Sequence, residues 1–257
     1  MDLQGKRVLV TGGSFGIGLG IAQACLRAGA RVVVASRRAW SDEVRTQLAG
    51  LGECRQVLGD MSDLGVPQRV VQEAAACWGG LDTLVNNAGT FADTDFYSMT
   101  EENFSRTFHL NVRGYFFAAQ EFARQAGQRQ YDASIINIGS TNSAVAEKNS
   151  VLYDSSKGAI LMMTKSLALT LASQGLRVNA VGPGIILTPL TAPGFAARPE
   201  LEPLLNHQIP MGRIGTIDDC GGAVVFLASD AAKYITGQMI WVDGGLLSQQ
   251  MVWEWPK

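Results

Sequence analysis

The sequence predicts a doubly wound α/β fold in one domain, with about seven parallel strands and helices on both faces. Three observations predict it. Short apolar runs alternate with helix-period segments along nearly all of the 257 residues. The first run ends in a glycine-rich turn that opens a helix, Thr11-Gly12-Gly13-Ser14-Phe15-Gly16-Ile17-Gly18. Hydrophobic residues make up 47% of the chain, enough to bury a large sheet and too many for disorder. Chains of this class and length are often one domain around one core. The expected organisation is therefore one unit over residues 1–257, with a proline-rich loop at about 183–210 and a tail at 246–257.

Val8-Leu9-Val10 is the first strand. After the glycine turn, Ile17, Ile21, Ala24, Cys25 and Ala28 recur at helical spacing, and Gly29 stops that helix. Arg31 to Ala35 is the second strand. In strand–turn–helix–strand units of this kind, glycines let backbone N–H groups approach a pyrophosphate at a helix N-terminus. The spacing is G-x-x-x-G-x-G, not the commoner G-x-G-x-x-G, so a tight turn without a ligand stays open at this point.

Arg55 to Leu58 is the third strand and runs into Gly59-Asp60-Met61. Val66 to Trp78 is a helix, with Pro67 tolerated in its first turn. Leu81 to Val85 is the fourth strand, followed by Asn86-Asn87-Ala88-Gly89. A long helix spans about Thr100 to Ala126. Phe104, Phe108, Val112, Tyr115, Ala119 and Phe122 form its core stripe; Leu110, Gly114 and Phe117 form a weaker one opposite. Ser134 to Ile138 is the fifth strand. The helix from about Asp154 to Ala172 is apolar almost all round, which predicts burial on every side. Arg177 to Val181 is the sixth strand. Six prolines between Gly182 and Pro210 predict a long loop with short helical pieces. Asp218 to Ala228 is a helix, and Gln238 to Val242 is the seventh strand.

Composition narrows the function. The net charge is −2, from 21 basic and 23 acidic residues, which argues against a nucleic-acid or membrane partner. No apolar run reaches the ~18 residues of a membrane span. Cys25, Cys54, Cys77 and Cys220 are far apart and read as free thiols of a cytoplasmic protein, with no signal-peptide pattern before the first strand. With His109 and His207 the only histidines, no metal site is expected.

Tyr153 and Lys157 carry the chemistry. Four residues apart in a helix, they share a face. A phenol titrates near 10, and a neighbouring cation favours the phenolate, so the pair reads as a general acid/base. Ser140, at the end of the fifth strand, is placed to hold a carbonyl or alcohol oxygen beside the phenol.

With these residues in fixed order, the chain resembles the short-chain dehydrogenase/reductase superfamily in its single-domain form, over about Gly5 to Gly245. That resemblance implies a Rossmann-like fold. It implies a catalytic tetrad of Asn111, Ser140, Tyr153 and Lys157, and a nicotinamide cofactor that exchanges a hydride at the substrate carbon. Tyr153 then exchanges the proton, Lys157 lowers the phenol pKa and binds the nicotinamide ribose, and Ser140 holds the substrate oxygen. Asn111 kinks its helix and holds a water. For the cofactor, the resemblance implies contacts from Gly12, Ser14, Phe15, Gly16, Ile17 and Gly18 at the phosphates. It adds Asp60 and Met61 at the adenine, Asn87, Ala88 and Gly89 at the adenosine, and Pro183, Gly184, Ile186 and Thr188 at the carboxamide.

Cofactor choice rests on Ser36-Arg37-Arg38 at the end of the second strand, where the next acid is Asp42. A carboxylate there serves NAD; an arginine accommodates the 2′-phosphate of NADP. The expectation is NADP, with Ser36 and Arg37 on the phosphate, and NAD or dual specificity as the alternative. Asn142, Lys148 and His207, with the site's Ser140 and Tyr153, point to a polar small-molecule substrate, a sugar or polyol. A 3-oxoacyl thioester is the rival substrate, and a non-catalytic nucleotide sensor or scaffold is the rival class. The family's helix contacts imply a homotetramer or homodimer, and the tail Met251 to Trp255 is expected to pack near a neighbour.

Overall fold

The computed structural model describes residues 1–91, 95–127 and 133–249. Its strands are Arg7–Thr11 (β1), Arg31–Ser36 (β2), Cys54–Leu58 (β3), Thr83–Asn86 (β4), Ala133–Ile138 (β5), Leu176–Pro183 (β6) and Met239–Val242 (β7). They form one seven-stranded sheet in the order β3-β2-β1-β4-β5-β6-β7, and every neighbouring pair is parallel. The chain direction across the sheet reverses between β1 and β4. In open parallel sheets such a switch point, at the C-terminal ends of the strands, is where ligands bind.

The helices are Gly16–Arg27 (α1), Asp42–Ala49 (α2), Val66–Ala76 (α3), Glu101–Phe108 (α4), Gly114–Gly127 (α5), Val151–Leu171 (α6), Ala192–Ala197 (α7), Leu201–Gln208 (α8) and Ile217–Ala228 (α9). Side chains alternate across each strand, so the sheet feeds two cores. Val8, Val10, Val32, Val34 and Ile136 pack with Ile21 of α1, Leu48 of α2 and Val224 of α9. Leu9, Val33, Leu84, Ile135 and Val178 pack on the other face with Val70 of α3, Phe122 of α5 and Ala168 of α6.

Four expectations change. The helix expected from Thr100 to Ala126 is broken by a π-helical segment, His109–Arg113, with Asn111 at its centre; this is the form the expected kink takes. Phe104 does not join the core: it stacks on Phe108 at 4.5 Å and is half exposed. The second stripe is not a free face either, because Gly114 is buried against the Met61 carbonyl and Leu110 packs on the core. Helix α6 is not buried all round, since Met162 and Leu169 are exposed. Helix α2 was not anticipated, because only Leu48 of it is buried. Its signal lay in Ser41, which accepts from Val44 N, followed by Asp42 and Glu43 in the first turn. The expected packing of the tail at Met251 to Trp255 lies outside the described residues.

Candidate active site

Strand β5 ends at Ile138, and Ser140 follows in extended backbone. Helix α6 starts at Val151, so Tyr153 and Lys157 lie in its first two turns beside that strand end. Lys157 Nζ is buried and donates to the Ile138 carbonyl at 3.0 Å. It lies 5.6 Å from the centre of the Tyr153 ring. Tyr115 of α5 closes the other side, with its hydroxyl donating to the same carbonyl at 3.3 Å. The Tyr153 hydroxyl contacts that of Ser140, and Phe91 stands edge-on to its ring at 4.9 Å.

The electrostatics differ from the expectation. Desolvation pushes the Tyr153 phenol up to about 12, against the pull of the Ser140 hydroxyl, and the charges of Asp154 and Glu147 act in the same upward direction. Burial pushes Lys157 down to about 8. Desolvation outweighs the hydrogen bond that favours the phenolate, so the phenol lies above its ordinary value and not below it as expected.

Asn111 is buried and committed to its neighbours. Its Oδ1 accepts from Thr90 N at 2.9 Å, and its Nδ2 donates to Thr90 O and to Ser156 Oγ, each at 3.0 Å. Ser156 Oγ donates in turn to the Tyr153 carbonyl at 2.7 Å. Asn111 thus ties the loop after β4 to the turn that carries Tyr153.

Across the switch point, the glycine turn leads into α1. Gly12 and Gly16 have positive φ, 66° and 52°, conformations that favour glycine. A Cβ on Gly18 would lie 2.3 Å from Gly12 O and 2.4 Å from Asn87 Nδ2. Thr11 Oγ1 accepts from the backbone of Asn87 and Ala88, and Asn87 Nδ2 donates to Thr11 O at 2.8 Å. Asn87 therefore spends its amide on the turn, and Thr11 is the residue that joins the two strand ends.

A family model described as enoyl-(acyl carrier protein) reductase matches residues 12–247. The chain is 36% identical to an L-rhamnose 1-dehydrogenase (NAD(P)(+)) of Azotobacter vinelandii, over 96% of this chain and 98% of that one. It is 36% identical to a 3-oxoacyl-[acyl-carrier-protein] reductase of Staphylococcus aureus, over 94% and 98%. A crystal structure described as a putative NAD(P)-dependent gluconate 5-dehydrogenase of Beutenbergia cavernae, with bound NADP, superposes with a TM-score of 0.91 at 34% identity, covering 96% of this chain and 99% of that one. The chain belongs to the short-chain dehydrogenase/reductase superfamily.

The glycine turn fits the phosphates of a dinucleotide. Phe15, at the N-cap of α1, supplies no side-chain cap and is exposed, so the first N–H groups of the helix keep no side-chain acceptor. Ser14 and Ile17 are half-buried in the same turn, and Thr188 faces it, 3.6 Å from where a Cβ on Gly16 would stand. Pro183 ends β6, Gly184 packs against the Asp243 backbone too closely for a side chain, and Ile186 is buried. Ala88 is half-buried and Gly89 exposed beside the tetrad. Asp60 follows β3, its Oδ1 accepting from Ser62 N and Ser62 Oγ, and Met61 is buried behind it.

At the end of β2 the two expected phosphate contacts part company. Ser36 Oγ donates to Arg38 O at 2.9 Å and accepts from Gln56 Nε2 at 2.6 Å, so its proton is already engaged. Arg37 is 73% exposed, with its guanidinium 3.8 Å from the Asp60 carboxylate. The substrate candidates divide too. Asn142 lies beside Ser140, but both ends of its amide are bonded within the chain. Lys148 is exposed on the loop before α6, and His207 is exposed in the last turn of α8. Among the described residues no group of three or more metal-ligating side chains assembles, and no helix is long and apolar enough to cross a membrane.

Proposed function

We propose that this chain is an NAD(P)-dependent oxidoreductase acting on a secondary alcohol or carbonyl, with a sugar or polyol as substrate and Ser140, Tyr153, Lys157 and Asn111 as its working groups. The observation that carries this reading is the gathering of Ser140, Tyr153 and Lys157 at one strand end, beside a glycine turn whose helix start is uncapped. A bound nicotinamide supplies or accepts the hydride at the substrate carbon. Tyr153 exchanges the proton at the substrate oxygen, and Ser140 orients that oxygen. Lys157 holds the ribose and supplies positive charge beside the phenol. Asn111 keeps Tyr153 in register through Ser156.

The sugar reading draws on the rhamnose dehydrogenase relative and the gluconate dehydrogenase fold neighbour, and on the polar collar of Asn142, Glu147 and Asp154 beside Ser140. The equally similar 3-oxoacyl reductase supports a second reading, reduction of a 3-oxoacyl thioester. NADP is the favoured cofactor, on the strength of Arg37. Four free cysteines suit the reducing cytoplasm. The exposed Phe104, Phe116, Met162 and Leu169 suit a homodimer or homotetramer of single-domain chains.

The test follows nicotinamide absorbance with NADP and NAD against aldoses, aldonates, polyols and 3-oxoacyl thioesters. Turnover of sugars or polyols is expected. Turnover of the thioester alone transfers the chain to the second reading, and tight nucleotide binding without turnover on any class overturns both.

A further inference from the structure

The carboxylate of Asp154, next to Tyr153, is the end of a hydrogen-bonded chain that begins at Ser140. Asp154 Oδ1 accepts from Asn142 Nδ2 at 2.7 Å, and Asp154 Oδ2 accepts from Glu147 N at 2.9 Å. Asn142 Oδ1 accepts the Ser140 hydroxyl proton at 3.1 Å, while Asn142 N donates back to Ser140 Oγ at 3.2 Å. An ionised carboxylate only accepts, whereas a carboxamide has one accepting and one donating end. Glu147 Oε2 also accepts from Asn142 Nδ2, at 3.3 Å, so two carboxylates take the donating end, the nearer being Asp154, and Oδ1 is left to face Ser140. Ser140, whose proton goes to Asn142, stands beside the Tyr153 phenol.

We propose that Asp154 is a positioning residue for the reaction: it sets the direction of the Asn142 amide and, through it, the direction of the Ser140 proton. The inference rests on the oxidoreductase reading but not on which alcohol is the substrate. Its donor order can be reversed and restored. Asp154→Asn puts an N–H against either Asn142 Nδ2 or Glu147 N, donor against donor, so the chain must flip or break. Adding Asn142→Asp returns an acceptor to position 142, which takes both the Ser140 proton and the new amide, while the amide oxygen takes Glu147 N. Every donor again meets an acceptor, and Glu147, whose Oε2 accepts from Asn142 Nδ2 at 3.3 Å, is exposed and free to swing away from the new carboxylate.

The experiment measures kcat and the NADPH dissociation constant on whichever substrate class the wild type turns over. A hydrogen bond to a charged group supports about a ten- to hundredfold effect. Asp154→Asn is expected to lower kcat at least about tenfold, with nucleotide affinity changed less than about twofold. The Asn142→Asp/Asp154→Asn pair is expected to recover most of that loss, and Asn142→Ala to match it. A kcat for Asp154→Asn or Asn142→Ala within about twofold of wild type overturns the proposal. So does a double variant no better than the single, or a loss of nucleotide affinity as large as the loss of kcat. If Asp154→Asn does not fold, Asn142→Ala and the double variant still decide. A wild type silent on sugars and thioesters alike overturns the functional reading and this inference together, whereas turnover of thioesters alone overturns the sugar reading and leaves this measurement in place.

Discussion

Lys157 Nζ stands 5.6 Å from the centre of the Tyr153 ring and gives a hydrogen bond to the Ile138 carbonyl, not to the phenol. The cation is held by the end of β5. Two titrations follow, with opposite signs.

Lys157 is pushed by burial from its ordinary 10.5 down to about 8. Below about pH 8 it is charged in both the folded and unfolded states, and folding buries that charge at a cost of roughly 3 kcal/mol. As the pH rises from about 8 to 10.5, the folded chain gives up the proton first and the cost fades. Lys157→Met is therefore expected to raise Tm at about pH 7, with the gain shrinking toward about pH 10. Tyr115 still satisfies the Ile138 carbonyl in that variant. Thermal unfolding at several pH values checks this; a variant less stable at neutral pH contradicts it.

Tyr153, pushed up to about 12, is the acid form at neutral pH. Reduction draws on that form and oxidation on its conjugate base, so oxidation is expected to rise with pH where reduction falls. Tyr153→Phe is expected to lower kcat about 10²–10⁴-fold with nucleotide binding nearly intact. Initial rates in both directions across pH decide; a variant keeping more than about a tenth of wild-type kcat, when chemistry limits the rate, overturns the proton-transfer role.

Gly18→Ala is expected to cost both stability and nucleotide affinity. The added carbon would sit 2.3 Å from Gly12 O and 2.4 Å from Asn87 Nδ2, and the first of these is backbone of the turn itself. Overpacking of this kind costs about 1–3 kcal/mol. Denaturant melts and NADPH titration should both shift, and an alanine variant with wild-type values in both speaks against the close approach.

At the end of β2, Arg37→Ala is expected to lower kcat/KM for NADP about ten- to a hundredfold while sparing NAD. Ser36→Ala is expected to change the cofactor ratio less, because that hydroxyl is held by Arg38 O and Gln56. Kinetics with both cofactors test this. A wild type that favours NAD, or an unmoved ratio in Arg37→Ala, defeats the assignment of Arg37.

Leu169 is 85% exposed and Met162 60% exposed on α6. Exposed apolar surface of this kind marks an interface. Light scattering is expected to give a dimer or tetramer at micromolar protein, and Met162→Lys with Leu169→Lys is expected to lower that mass. A monomeric wild type refutes the assembly.

Much of this protein was legible in the chain by itself. Strands β1, β2 and β5 carry apolar, largely β-branched runs and are almost wholly buried, and local pattern suffices where both faces of a strand are buried. Gly12 and Gly16 announced the turn by the backbone conformation it needs and Gly18 by the space it leaves, and Tyr153 and Lys157 announced themselves by helical spacing. Helix α2 escaped because its apolar signal is one residue, Leu48.

Tertiary structure decided what depends on who stands next to whom. The Tyr153 phenol was expected to fall under the influence of Lys157 and instead rises, because desolvation is set by the fold around it and not by a residue four positions away. Ser36 and Asn142 are polar residues at the right places, yet Gln56 from β3 and Asp154 from α6 engage their hydrogen bonds. A sequence names donors and acceptors; only packing determines which of them are already paired, since a buried polar group takes the nearest partner the fold provides.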